Sequence, residues 1–127
     1  MPAAVHWLDA EHTIIHQKLT DPLQVSEIVT LAEETYAMIE AVPHEVTLIF
    51  DVSQMGNPTF QVLSVAKKIS KLVHPRQKRV IGVTKSVFLE TLAGLISRVA
   101  PNSTRNMVLV KTFDEALERV RTLTTNS

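Results

Sequence analysis

Residues 46–53 read Val46-Thr47-Leu48-Ile49-Phe50-Asp51-Val52-Ser53, and this stretch decides the fold. Its first five residues are apolar or β-branched and show no polar alternation. A run that short and that uniform reads as a strand buried on both faces, because a half-exposed strand alternates and a helix needs ten residues or more. The strand is expected to span Val46–Phe50 and to end at Asp51. Two further runs share its character, Val80-Ile81-Gly82-Val83 and Met107–Val110.

Helical periodicity fills the intervals. Val25, Ile28, Val29, Ala32, Tyr36 and Ile39 predict an amphipathic helix that starts at Thr20-Asp21-Pro22 and runs to about Ala41, ahead of Pro43. Asn57-Pro58-Thr59 starts a second helix with Val62, Val65, Ala66, Ile69, Leu72 and Val73 on its apolar face, ended by His74-Pro75. Ser86 caps a third, which carries Phe88, Leu92, Leu95, Ile96 and Val99 and stops at Pro101. Thr112-Phe113-Asp114-Glu115 has the spacing of a capping box, and Ala116, Leu117, Val120 and Leu123 face the core from the last helix. Upstream, Val5–Leu8 and Thr13–Leu19 flank Asp9-Ala10-Glu11-His12, which predicts a hairpin with a four-residue loop. The order β-β-α-β-α-β-α-β-α predicts an α/β fold: a mixed, mainly parallel five-stranded sheet with an N-terminal β-hairpin and four helices.

The chain has 127 residues, which suits one domain spanning 1–127. Composition is ordinary for a globular protein, with 45% hydrophobic and 20% charged residues, so disordered and collagen-like classes are excluded. No apolar run approaches the roughly 18 residues of a membrane span, and the N-terminus lacks the basic and apolar regions of a signal peptide. With no cysteine, disulfides, thiolate catalysis and zinc–cysteine sites are excluded, and a cytoplasmic location is expected. Net charge is zero but unevenly spread. Residues 1–51 contain nine acids and a single base, Lys18, whereas residues 52–111 contain ten bases and a single acid, Glu90. That split is compatible with a homodimer. The densest basic surface is Lys67, Lys68, Lys71, Arg76, Lys78 and Arg79. It contains no aromatic residue for base stacking, and the overall pI is near 7, so no nucleic-acid partner is expected.

The whole arrangement resembles the STAS or SpoIIAA-like group, the anti-sigma-factor antagonist fold, over roughly residues 3–124. The likeness rests on the opening hairpin, the helix after it, and the run Leu48–Ser53. A strand in that group ends in Asp-Leu-Ser or similar before a loop leads into a helix. The chain is most similar to small stand-alone bacterial SpoIIAA-like proteins. The resemblance implies a single-layer βα superhelix and a non-enzymatic regulatory or protein-interaction role in signalling. It implies no cofactor, and a protein kinase or an anti-sigma-like regulator as partner. Phosphoregulated members carry Asp-Ser-Ser-Gly at the start of the helix after that strand, where a serine is phosphorylated. Here the sequence is Gly56-Asn57-Pro58-Thr59-Phe60. Thr59 is the nearest hydroxyl and Ser53 is the other, so Asp51, Ser53, Asn57 and Thr59 are the binding or phosphoswitch candidates.

The fold class suggests a second type of site. Ligands of open α/β sheets bind beyond the carboxyl ends of the strands, where helix N-termini favour anions. Thr84, Lys85, Ser86 and Lys111 follow two of the predicted strands and are anion candidates, for a small anionic or lipidic ligand. Capping alone also accounts for Asn57, Ser86 and Thr112. The set Asp51, Thr84 and Lys111 is similar to that of receiver domains, but Lys18-Leu19-Thr20-Asp21 lacks their acidic pair. His12 and His16 lie four positions apart, about 13 Å at the strand rise, too far to share a metal ion, and are expected to face solvent. His44 and His74 are expected at helix ends, and Trp7 and Tyr36 as half-buried anchors. No serine-hydrolase elbow, glycine-rich nucleotide motif or zinc-protease motif occurs, so no catalytic residue is expected.

Overall fold

A computed structural model describes residues 3–20, 24–54, 68–69, 71–85, 94, 98 and 107–125. Within them the elements are β1 (Ala3–Trp7), β2 (Ile14–Thr20), α1 (Val25–Glu40), β3 (Val46–Gln54), β4 (Gln77–Val83), β5 (Met107–Val110) and α2 (Phe113–Thr125). The five strands form one sheet in the order β1-β2-β3-β4-β5. The first pair is antiparallel and the other three are parallel. The α/β class and the mainly parallel five-stranded sheet therefore agree with the sequence reading. Of the four expected helices, α1 and α2 stand among the described residues. The two expected after Asn57 and Ser86 fall largely outside them.

The hairpin turn is built around Asp9. Its carboxylate accepts the Thr13 N–H at 2.9 Å and the Ile14 N–H at 3.0 Å, and also the Thr13 hydroxyl. His12 adopts φ 58°, the left-handed conformation that closes such a turn, and its ring stacks on Trp7 at 4.6 Å. Burial pushes the Asp9 carboxyl up, but Thr13 and Ile14 outweigh it and hold it below its ordinary value.

Alternation along β3 divides the core. Val46, Leu48, Phe50 and Val52 face one side, with Ile15 and Leu19 of β2, and pack against Leu31, Met38 and Ile39 of α1. Ile49 faces the other side with Ile81, Val83 and Val110, and packs against Phe113, Ala116 and Val120 of α2. Ile39, Ile49 and Ile81 are fully buried. Each contributes about 1.5–3 kcal/mol by leaving water. The described helices thus lie on opposite faces of the sheet, which corrects the single-layer superhelix. The final helix follows the last strand rather than crossing between two parallel strands, so the crossover rule does not assign its side.

Two boundaries differ from expectation. The first described helical residue is Val25, with Gln24 as N-cap, whose N–H donates to Glu27 at 3.3 Å. The Asp21-Pro22 start lies outside the described residues. β3 continues four residues past Phe50, to Gln54. The charge of Asp51 does not end the strand, because partners on the neighbouring strand and within β3 itself satisfy it. At the far end, Thr112 caps α2 as expected, accepting the Glu115 N–H at 3.1 Å.

Candidate functional site

The extension of β3 relocates Asp51. It pairs with Lys18 of β2 and Val83 of β4 in the interior of the sheet, and its side chain lies on the α2 face, only 4% exposed. The sequence reading put it at the end of the strand, and that placement is corrected. Its Oδ2 lies 3.0 Å from His16 Nε2. Its Oδ1 accepts the Ser53 N–H at 3.0 Å and the Ser53 hydroxyl at 2.6 Å. Desolvation by burial raises the Asp51 carboxyl, but Ser53 and His16 together outweigh it and keep the group below its ordinary value. A carboxylate only accepts, so the hydrogen-bond network assigns the ring hydrogen of His16 to Nε2.

His16 is buried rather than solvent-facing, which corrects the earlier reading. On β2 it shares a face with Ile14, and that face is covered by α2: the His16 and Phe113 rings lie 4.6 Å apart. His6, directly opposite on β1, meets it edge-on at 5.1 Å. Sequence reasoning missed this buried histidine. Strand alternation with apolar Ile14 was the available signal, but the acid that pairs with it lies 35 positions away.

The geometry of the trio limits its chemistry. Asp51 sits between His16 and Ser53, whereas a nucleophilic triad needs the histidine between serine and acid. The Ser53 hydroxyl donates to a carboxylate, and no histidine nitrogen stands beside it to take its proton. The trio fastens β2 to the end of β3 and joins no base to a nucleophile.

The carboxyl edge of the sheet carries the second set. Thr84 is buried, with its N–H donating to Val110 O at 3.0 Å. That bond brings Lys85 and Lys111 to neighbouring positions at the ends of β4 and β5. Both are exposed, and neither has an ion-pair partner among the described residues. Asp114 and Glu115 occupy the first turn of α2 nearby and already complement its dipole. Asn57, Thr59, Ser86 and Lys67 lie outside the described residues.

The basic surface does not act as one unit. Lys68, Lys71 and Lys78 are exposed and Arg79 is half-buried. Arg76 instead closes the C-terminus of α1: its Nη2 donates to Ile39 O at 3.1 Å and Glu40 O at 3.4 Å. Its Nε is buried without a partner. Beside it, His74 is buried, accepts the Arg76 N–H on Nδ1 at 3.0 Å, and meets Glu40 Oε2 through Nε2 at 2.6 Å. This network fixes the Nε2–H tautomer. The His74 hydrogen bond, with a smaller contribution from the Arg76 charge, holds the Glu40 carboxyl below its ordinary value. His44, the other histidine beside a proline, donates from Nδ1 to Glu45 O at 3.1 Å. Trp7 and Tyr36 are half-buried, as expected.

Among the described residues, no group of three or more potential ligands could hold a metal ion, and no helix is long and apolar enough to cross a membrane. Comparison with family models, curated proteins and solved structures finds no match.

Proposed function

We propose that the chain is a non-enzymatic regulatory or protein-interaction module of the STAS/SpoIIAA-like type, controlled by phosphorylation in the loop before the helix expected after Asn57. The observation that supports this reading best is the Asp51 arrangement at the end of β3. An aspartate there takes the N–H and hydroxyl of Ser53 and fixes the strand end from which that loop departs. The same arrangement favours Thr59 over Ser53 as the acceptor of phosphate. A phosphate on Ser53 would face the Asp51 carboxylate, which repels it. The partner is a protein kinase or an anti-sigma-like regulator, and the setting is bacterial and cytoplasmic. Affinity capture with the wild-type chain, followed by titration of the captured partner, tests the reading. Thr59→Glu should weaken binding and Thr59→Ala should leave it intact. Equal affinity for both variants removes the switch.

A second reading rests on two exposed lysines without an ion-pair partner among the described residues. Lys85 and Lys111, adjacent at the carboxyl edge, suit a small anionic or lipidic ligand. A thermal-shift screen with phosphate, nucleotides and anionic lipids addresses it. A ligand at 100 times its dissociation constant stabilises by about 2.7 kcal/mol, or a shift of roughly 8–16 °C at this size. The double variant Lys85→Glu/Lys111→Glu should abolish the shift, and a shift that survives it places the ligand elsewhere.

A further inference from the structure

β1 forms one edge of the sheet. Its sequence, Ala3-Ala4-Val5-His6-Trp7, holds no lysine, carboxylate or proline, the residues with which natural edges block strand addition. Its register with β2 runs through all five residues without a bulge. Leu8 N–H donates inward to Ile14 O at 2.9 Å. Inward bonding alternates along an antiparallel strand, so Ala4 and His6 also direct their N–H and C=O towards β2. Ala3, Val5 and Trp7 direct theirs outward. Among the described residues, the outward-directed hydrogen-bonding groups are therefore symmetric about Val5.

We propose that this edge pairs with the same edge of a second copy, β1 against β1 and antiparallel, about a twofold axis at Val5. The pairs across the axis are then Ala3 with Trp7, Val5 with Val5, and Trp7 with Ala3. All are outward-directed residues, and each pair exchanges two N–H···O=C bonds. An axis at Ala4 or His6 keeps only two such pairs. Self-complementarity of this kind is what a twofold interface requires, and the register about Val5 uses every outward-directed residue of β1. The apolar surface continues the same edge. A groove of about 490 Å³ is lined by Trp7 and His12 of the hairpin and by Ala37, Met38, Ala41 and Val42 at the end of α1. α1 packs against β1, so joining the edges sets two α1 helices side by side on one face. Ala37 and Ala41 are exposed and small enough to let them approach. The cost is charge: both copies bring the acid-rich segment 1–51, including the exposed Glu33 and Glu34. The dimer is therefore expected to tighten as salt rises. Head-to-tail attraction between the acidic and basic halves of the chain would weaken instead.

Sedimentation of the full chain over a concentration series, at low and high salt, tests this interface independently of the proposed function. In the proposed register residue 4 opposes residue 6 of the other copy, and both side chains are exposed in the single chain. Ala4→Lys/His6→Glu places opposite charges across the axis and should preserve the dimer. Ala4→Lys/His6→Lys places like charges there and should bind about tenfold more weakly than the first variant. Amide exchange on the wild-type chain needs no variant: the Val5 and Trp7 N–H groups should exchange rapidly at low concentration and become protected as the dimer forms. Four results each overturn the proposal: a wild-type monomer throughout the series, equal affinity of the two double variants, dimers that loosen with salt, or dimers whose Val5 and Trp7 amides stay unprotected.

Discussion

Two histidine–carboxylate pairs hold this chain together, and they differ in where the acid sits. In the sheet, His16 and Asp51 are both buried, 3.0 Å apart, and the acid is engaged on its other oxygen by Ser53. At the end of α1, His74 is buried but Glu40 is exposed, at 2.6 Å. The shorter contact is not the more consequential one. Glu40 stands at the surface, where water can take its place beside His74, whereas Asp51 is buried and its loss leaves both His16 and the Ser53 hydroxyl without their acceptor. Asp51 therefore holds structure, while Glu40 chiefly adjusts an end already closed by Arg76.

The sharpest way to break the comparison is Asp51→Ala. It strands His16 Nε2–H beneath Phe113 and takes the acceptor from the half-buried Ser53 hydroxyl. The expected loss is roughly 2–4 kcal/mol, read as a lower urea midpoint with an unchanged slope. A loss below about 1 kcal/mol, the scale of an exposed pair, would remove the distinction between the two sites.

Acid titration sharpens the comparison at intermediate size. Asp51 and Glu40 are both held below their ordinary values of 3.8 and 4.5 in the folded chain. A depressed carboxyl contributes stability that is complete above its unfolded value and is lost as pH falls through its folded value. The contribution of these two groups should therefore be complete above pH 4.5, begin to be lost there through Glu40, and be lost further below 3.8 through Asp51. Asp9 is depressed in the same direction and adds to the lower window. Asp51→Asn should flatten the decline below 3.8 and leave the upper part in place. An unaltered acid limb in that variant would contradict the role given to Asp51.

The contrast also shows what the sequence displays and what it hides. Strands β3, β4 and β5 were legible because uniform apolar runs mark burial on both faces, and the Thr112 cap was legible because its partner lies three residues away. The extension of β3 through Asp51 was not, since a carboxylate ends an apolar run unless a distant group satisfies it. His16, the group that does so, lies 35 positions earlier and becomes adjacent only when β2 and β3 pair. Arg76 was hidden for the same reason: in the chain it belongs to a basic cluster, and in the fold it caps a helix that ended 36 positions before it. Local rules reach turns, caps and periodicity, while polar groups satisfied across the sheet become visible only with strand order and register. The carboxyl edge with Lys85 and Lys111 was legible from strand ends alone. The buried condition of Asp51 was not.

The smallest expected effect comes from Glu40→Gln. The amide oxygen still accepts the His74 Nε2–H, and Arg76 still donates to Ile39 O and Glu40 O, which are backbone atoms the substitution leaves in place. What is lost is charge on an exposed group, and water screens that. The urea midpoint should fall only slightly below that of the wild type at neutral pH, by what the depressed carboxyl contributes, and the decline that begins near pH 4.5 should become correspondingly shallower. A midpoint shift at neutral pH as large as that of Asp51→Ala would mean that the exposed acid is structurally equivalent to the buried one. Burial of the acid would then not be what separates the two pairs.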